Sequence, residues 1–176
     1  MDKSHSKPGR NGKAGDDARS GALRLLAAID EGATLDEAAG LNDRLSPSDR
    51  ARAIRLAREV LRRQDRLDAL LTPFLARRPR PEIQRILRLA ATEMLALNEA
   101  PHGAVNAAVA LARASGPKGQ AASGMVNAVL RKVAEAGAAW AALPPQHLPG
   151  WLRKPVIAAW GREVARAIEA AHEAGA

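Results

Sequence analysis

Arginine at helical spacing is the feature of this sequence with the clearest chemical consequence. Arg52, Arg55, Arg58, Arg62 and Arg66 recur every three or four residues through SDRARAIRLAREVLRRQDR. Guanidinium groups so placed on one arc of a helix could follow the phosphates of a nucleic acid. Only Glu59 interrupts the arc, and the alternative is a solvated face on which Glu59 pairs with arginines one turn away. Upstream, Lys7, Arg10 and Lys13 sit among Gly, Pro, Ser and Asn, while Arg19 and Arg24 project from the outer side of the helix that follows. The turn RRPRP adds Arg77, Arg78 and Arg80. Catalytic chemistry has no comparable support. Without cysteine there is no disulfide and no thiolate metal site, and His5, His102, His147 and His172 lack the spacing of metal ligands. The glycines of 9–15 and 116–124 follow no strand pattern, so they read as a flexible arm and a turn rather than as phosphate-binding loops. The chain by itself is expected to be non-catalytic.

The charge is local. The 176 residues carry +8, yet residues 49–88 alone hold twelve arginines against five acids, while 30–48 are acidic. A field of one sign on one segment points to a polyanionic partner. One Phe and no Tyr leave no aromatic platform for stacking bases, and Trp140, Trp151 and Trp160 are expected to be committed to packing the tail. Any nucleic-acid binding must then rest on arginine and backbone contacts and weaken steeply with salt. No apolar run approaches a membrane span, and the start MDKSHSKPGRNGKAGDD has no apolar signal core. With the absence of cysteine, this reads as a cytoplasmic protein without membrane or metal.

The elements that must position these arginines all read as helices. Ala and Leu dominate, and strand alternation is missing throughout, so the fold class is all-α. The organising element is IQRILRLAATEMLAL, Ile83 to Leu97, apolar nearly all round and therefore central, with Pro81 in its first turn. Before it, Asp16 or Asp17 caps a helix ending at Gly32, and Thr34 and Glu37 have the spacing of a capping box. Ser46-Pro47-Ser48-Asp49 starts the arginine helix, which should run to about Gln64. After the central helix, one helix opens near His102 and another spans about 121–136. Asn106 and Asn127 each stand among apolar residues, in AVNAAV and MVNAVL, and are read as structural, bonding across to a neighbouring helix or loop. The expected organisation is a disordered basic arm over 1–15, a helical domain over 16–137, and a linker with a helix over 138–176.

SDRARAIRLAREVLRR, RLDALL, IQRILRLAATEMLAL, APHGAVNAAVALAR and above all GMVNAVLRK resemble, in order and spacing, the NusB-like helical domain, from about Ala18 to Val133. Arg88-Leu89-Ala90 with Glu93 resembles that family's central-helix pattern. The resemblance implies a NusB-like helical bundle of two packed helical subdomains with a helical C-terminal extension, and RNA binding, with ribosomal or other structured RNA as partner and Lys7, Arg10, Lys13, Arg19, Arg24 and the 52–66 arginines as its contacts. The family includes a free-standing transcription antitermination factor and the N-terminal domain of 16S rRNA (cytosine-5) methyltransferases of the Sun or Fmu type. Trp140, Leu143-Pro144-Pro145, Leu148-Pro149-Gly150-Trp151-Leu152 and a helix around 156–171 resemble the segment that leads into the methyltransferase body, so the chain reads as a fragment ending before it. Ala107 stands where that branch often has an acid, and Gly124-Met125 replaces its usual aromatic. The resemblance places the cysteine nucleophile and the S-adenosylmethionine site in the missing domain, with no cofactor in this chain. A helical protein-interaction module is the third reading.

Overall fold

The structure is a computed structural model that describes residues 14–174, with side chains from Ala18 onward. Among the described residues every regular element is helical, as the lack of strand alternation requires. The chain divides into two compact units, 1–55 and 56–176.

The first unit holds α1 (Ala14–Asp30), α2 (Leu35–Ala39), a 3-10 turn (Gly40–Asn42) and the start of α3 (Pro47–Arg62). Its core is made of small and branched side chains, Ala18, Ala22, Leu25 and Leu26 of α1 with Ala38 and Ala53. Gly21 lets α1 come close to its neighbours: an added Cβ would lie 2.8 Å from Leu45 and 3.0 Å from Ala53. Both sequence-level caps form. Thr34 and Glu37 satisfy each other's backbone N–H groups, and the Ser46 hydroxyl accepts from the Asp49 N–H at 3.1 Å. Helix α1 begins at Ala14, earlier than a cap at Asp16 or Asp17 would allow.

The second unit is built around α5 (Pro81–Leu95). From Ile83 to Met94 every residue is buried except Arg85, so the all-round apolar pattern does mark the central helix. Leu97 falls outside it, because the helix stops at Leu95 and the chain turns at Asn98 in the left-handed region, φ 53°. Around α5 pack α4 (Gln64–Leu71), α6 (Pro101–Ala114) and α7 (Pro117–Ala134). Gly119 permits the tight α6 to α7 turn, since a Cβ there would fall 2.2 Å from the Ala112 carbonyl oxygen. Helix α7 starts at Pro117, four residues before the expected 121, because proline needs no N–H partner at the first helical position.

Two departures from the expected helices change where side chains go. The arginine helix does not continue past Arg62: Arg63 has φ −126° and ψ 19°, and Arg66 therefore belongs to a separate helix, α4. Beyond α7 the chain is folded rather than extended, with α8 (Gly137–Ala142), the loop 143–149 and α9 (Gly150–Ala174), which is broken at Gly161, φ 84°.

Candidate nucleic-acid interface

The predicted basic residues separate into different environments. Lys7, Arg10 and Lys13 lie outside the described residues. Arg19 is half-buried and not free of partners. Two Arg24 N–H groups donate to the Asn42 side-chain oxygen, at 2.9 and 3.2 Å, and Asn42 in turn donates to the Gly21 carbonyl. Arg24 thereby holds the turn after α2 against α1. Arg52 is likewise half-buried and not free of partners. Arg55 and Arg58, one turn apart on α3, are exposed.

Arg62 and Arg66 are not on a solvated stripe, and this corrects the sequence-based arc. Their side chains are only 14% and 13% exposed. Arg62 pairs with Glu59 at 2.6 Å, and Arg63 bonds the other oxygen of the same carboxylate. Arg66 pairs with Glu173 of α9, donates to the Trp140 carbonyl at 2.8 Å, and lies with its guanidinium carbon 4.1 Å from the centre of the Trp140 ring. Arg63 also donates to the Glu173 carbonyl. For Arg62 the cause is the local pair with Glu59; for Arg66 it is the break at Arg63, which places Arg66 on a separate helix and off the arc extrapolated along one straight helix.

Gln146 completes this docking of the tail. Its side-chain oxygen accepts from the Asp65 and Arg66 N–H groups, at 2.9 and 3.3 Å, so a residue from the 143–149 loop caps a helix whose own N-cap, Arg63, offers no side-chain acceptor. The far end of the loop is fixed by Glu169, which is buried and accepts from Arg153 at 2.7 Å, from the Leu148 N–H at 3.0 Å and from His147 at 3.0 Å. Burial opposes its ionisation, yet the bonds from Arg153, Leu148 and His147 hold its carboxyl below the ordinary 4.5, at about 2.

The expectation that the tryptophans are committed to packing fails for two of the three. Trp140 is half-buried beneath Arg66, whereas Trp151 and Trp160 are 77% and 66% exposed. Asn106 does not bond across to a neighbouring element as expected. Asn106 is exposed and bonds His102 on its own helix rather than crossing to another element, and with the half-buried Asn127 it lines an open groove between α6 and α7.

Other arginines of the segment divide in the same way, into paired and exposed ones. Arg88, buried in α5, makes a two-point pair with Asp68 of α4, at 2.6 and 2.7 Å, and Gln84 donates to the same carboxylate. Arg77, Arg78 and Arg80 are exposed in the turn before α5. The arginines of the segment 49–88 classed as exposed are therefore Arg55 and Arg58 on α3 and these three. RRPRP carried the signal in the sequence: Pro79 and Pro81 stiffen a turn too short to bury three guanidinium groups.

Among the described residues no group of three His, Asp or Glu side chains is placed to hold a metal, and no helix is long and apolar enough to cross a membrane. Residues 16–135 match the model of the NusB family, and the chain belongs to that family. A search among curated proteins gives no match.

Proposed function

We propose that this NusB-family chain is an RNA-binding domain and, more specifically, the N-terminal part of an S-adenosylmethionine-dependent rRNA cytosine-5 methyltransferase. The observation that carries the first half is the survival of five exposed arginines, Arg55, Arg58, Arg77, Arg78 and Arg80, after the ion pairs of the 49–88 segment are accounted for. Exposed guanidinium groups on helix and turn bind phosphate without reading bases, which suits a structured RNA recognised by its shape. Support for the second half comes from the tail. Trp151, Trp160, Val164 and Ile168 leave an apolar surface on α9 that further chain would cover. In this reading the cysteine nucleophile and the cofactor site belong to that further chain, and this domain positions the RNA.

The test is the salt dependence of binding to a structured rRNA fragment. Replacing Arg55 and Arg58 together by Gln removes two phosphate contacts and should flatten the plot of log affinity against log salt by roughly 1.4 to 1.8 units. The exposed Arg162 and Arg166 of α9 are the control, and their replacement should leave the slope nearly unchanged. Equal flattening by both pairs would reduce the charge to a diffuse field and favour a protein-interaction module. For the parent enzyme, an antibody raised against this chain should detect a polypeptide in the cell much longer than 176 residues. Detection of a polypeptide of this length alone would favour the antitermination factor.

A further inference from the structure

The pair between Arg66 and Glu173 is closed less completely than the pair between Arg88 and Asp68. Arg88 donates through Nε and Nη2 to the two oxygens of Asp68, at 2.7 and 2.6 Å, so its planar fork is matched at two points. Arg66 divides its fork instead. One Nη goes to a single oxygen of Glu173, the other to the Trp140 carbonyl at 2.8 Å, and Nε is buried with no acceptor among the described residues. The second Glu173 oxygen is taken by the Gln146 N–H at 3.3 Å. Beside this pair, Arg62 and Arg63 share the carboxylate of Glu59, and the Arg62 Nε is likewise buried without an acceptor. Arg63 reaches the tail only through a neutral oxygen, the Glu173 carbonyl at 3.1 Å. Asp65, another acid at this corner, is exposed and bonded to the Gln146 amide. The three guanidinium groups of Arg62, Arg63 and Arg66 thus bond two carboxylates, and the corner keeps donors and positive charge that its own acids leave unmatched.

We infer that the last turn of α9 is an autoinhibitory latch: Glu173 occupies Arg66 in place of a phosphate, and release of Glu173 uncovers Arg66 as a further contact for the RNA. The inference rests on the RNA-binding reading and adds a regulation to it. The latch has a fixed end and a free one. One turn before Glu173, Glu169 is 2% exposed and accepts from Arg153, from the Leu148 N–H and from His147, so α9 stays anchored when Glu173 lets go. Glu173 is 18% exposed and holds Arg66 through one oxygen. Its release leaves Arg63 paired with Glu59 and frees one whole charge, that of Arg66. A phosphate presents several anionic oxygens and can take the Arg66 fork at two points, which the closed arrangement does not. The same helix carries Val164 and Ile168 exposed on its outer side, so chain seated on them acts on the element that holds the latch. Covering of that surface and uncovering of Arg66 are thereby linked through one helix.

Two measurements on the full chain test it. The first is hydrogen exchange without RNA, on the natural chain and on Glu173→Ala. The Gln146 N–H loses its charged acceptor and should exchange at least about tenfold faster, while the Leu148 N–H, held by Glu169, should keep its protection. Should Leu148 lose protection too, the comparison passes to Glu173→Gln, which keeps the shape of the side chain and removes only its charge. The second is binding to the structured rRNA fragment over a range of salt. One added phosphate contact should tighten binding at low salt and steepen the plot of log affinity against log salt by roughly 0.7 to 0.9 units. Adding Arg66→Gln to Glu173→Ala should return the slope to that of the natural chain. Glu163→Ala removes an exposed acid from the same helix and should leave the slope nearly unchanged. A Gln146 amide that exchanges no faster overturns the latch. Faster exchange with an unchanged slope, weaker binding by Glu173→Ala, or equal steepening by Glu163→Ala overturns the hidden contact and leaves the RNA-binding reading standing. Failure of both the natural chain and Glu173→Ala to bind the RNA at low salt overturns that reading itself, and the latch with it.

Discussion

Replacing Arg66 by Ala separates a structural arginine from an RNA-binding one. Arg66 makes a charge-assisted bond to Glu173, a bond to the Trp140 carbonyl and a stacked contact on the Trp140 ring. A hydrogen bond to a charged partner contributes about 1.5–3 kcal/mol, a neutral carbonyl bond about 0.5–1.5, and a partly exposed cation–π contact about 0.5–1. These do not add fully, because the three share one side chain and Glu173 keeps its bond from the Gln146 N–H, so a loss of roughly 2–4 kcal/mol is expected. Urea denaturation followed by far-ultraviolet circular dichroism measures it without relying on the fluorescence of Trp140, which the substitution alters directly. Limited proteolysis is the second readout, since release of the tail should open the 143–149 loop to cleavage. Arg66→Lys keeps the charge but loses the planar fork and should fall between the two. Arg55→Ala, exposed, should stay within about 0.5 kcal/mol. An Arg66→Ala loss no larger than that of Arg55→Ala would refute the docking argument and return Arg66 to the solvated arc.

Leu87 is fully buried in α5, and Leu87→Ala should cost about 2–5 kcal/mol in the same denaturation assay; a surface-like loss would show that α5 is not central. Gln146→Ala removes the acceptor for two N–H groups at the start of α4 and should cost about 0.5–2 kcal/mol, measured as a shift in the urea midpoint. For Glu169 the carboxyl is lower in the folded chain than in the unfolded one, so its contribution is complete above 4.5 and is lost as pH falls toward about 2. Melting temperatures of the natural chain and of Glu169→Gln should therefore converge across that acidic window, and a constant gap between them would contradict the bonded carboxylate.

What could be read from the sequence is what depends on neighbours a few residues away. The Thr34 and Ser46 caps, the proline starts of α3 and α5 and the buried course of α5 all follow from local spacing, and the structure contains each of them. The fate of the arginines depended on residues far along the chain. Arg66 is paired with Glu173, separated by 107 positions, and the α4 cap comes from Gln146, 81 positions after Asp65. No periodicity records such a partner. The break at Arg63 was equally silent, since neither Gly nor Pro marks it; beside its local pair with Glu59, Arg63 there donates to the Glu173 carbonyl, 110 positions away. For the tryptophans, size alone argued for burial, and the exposure of Trp151 and Trp160 shows how weak that rule is in a tail with so much uncovered surface.

The arginine-rich segment therefore divides into two sets of residues. Arg63 and Arg66 tie α8 and α9 to the α3 to α4 corner, while Arg55, Arg58, Arg77, Arg78 and Arg80 remain open to solvent. The two sets also differ in their response to salt. Ion pairs that are less than a fifth exposed are screened little, because water and counterions are largely excluded, whereas exposed guanidinium groups on phosphate lose affinity steadily as counterions compete. Raising the salt should strip RNA from the domain well before it loosens the tail. A single diffuse positive field would weaken both together, so the order in which the two are lost distinguishes a divided arginine segment from an undivided one.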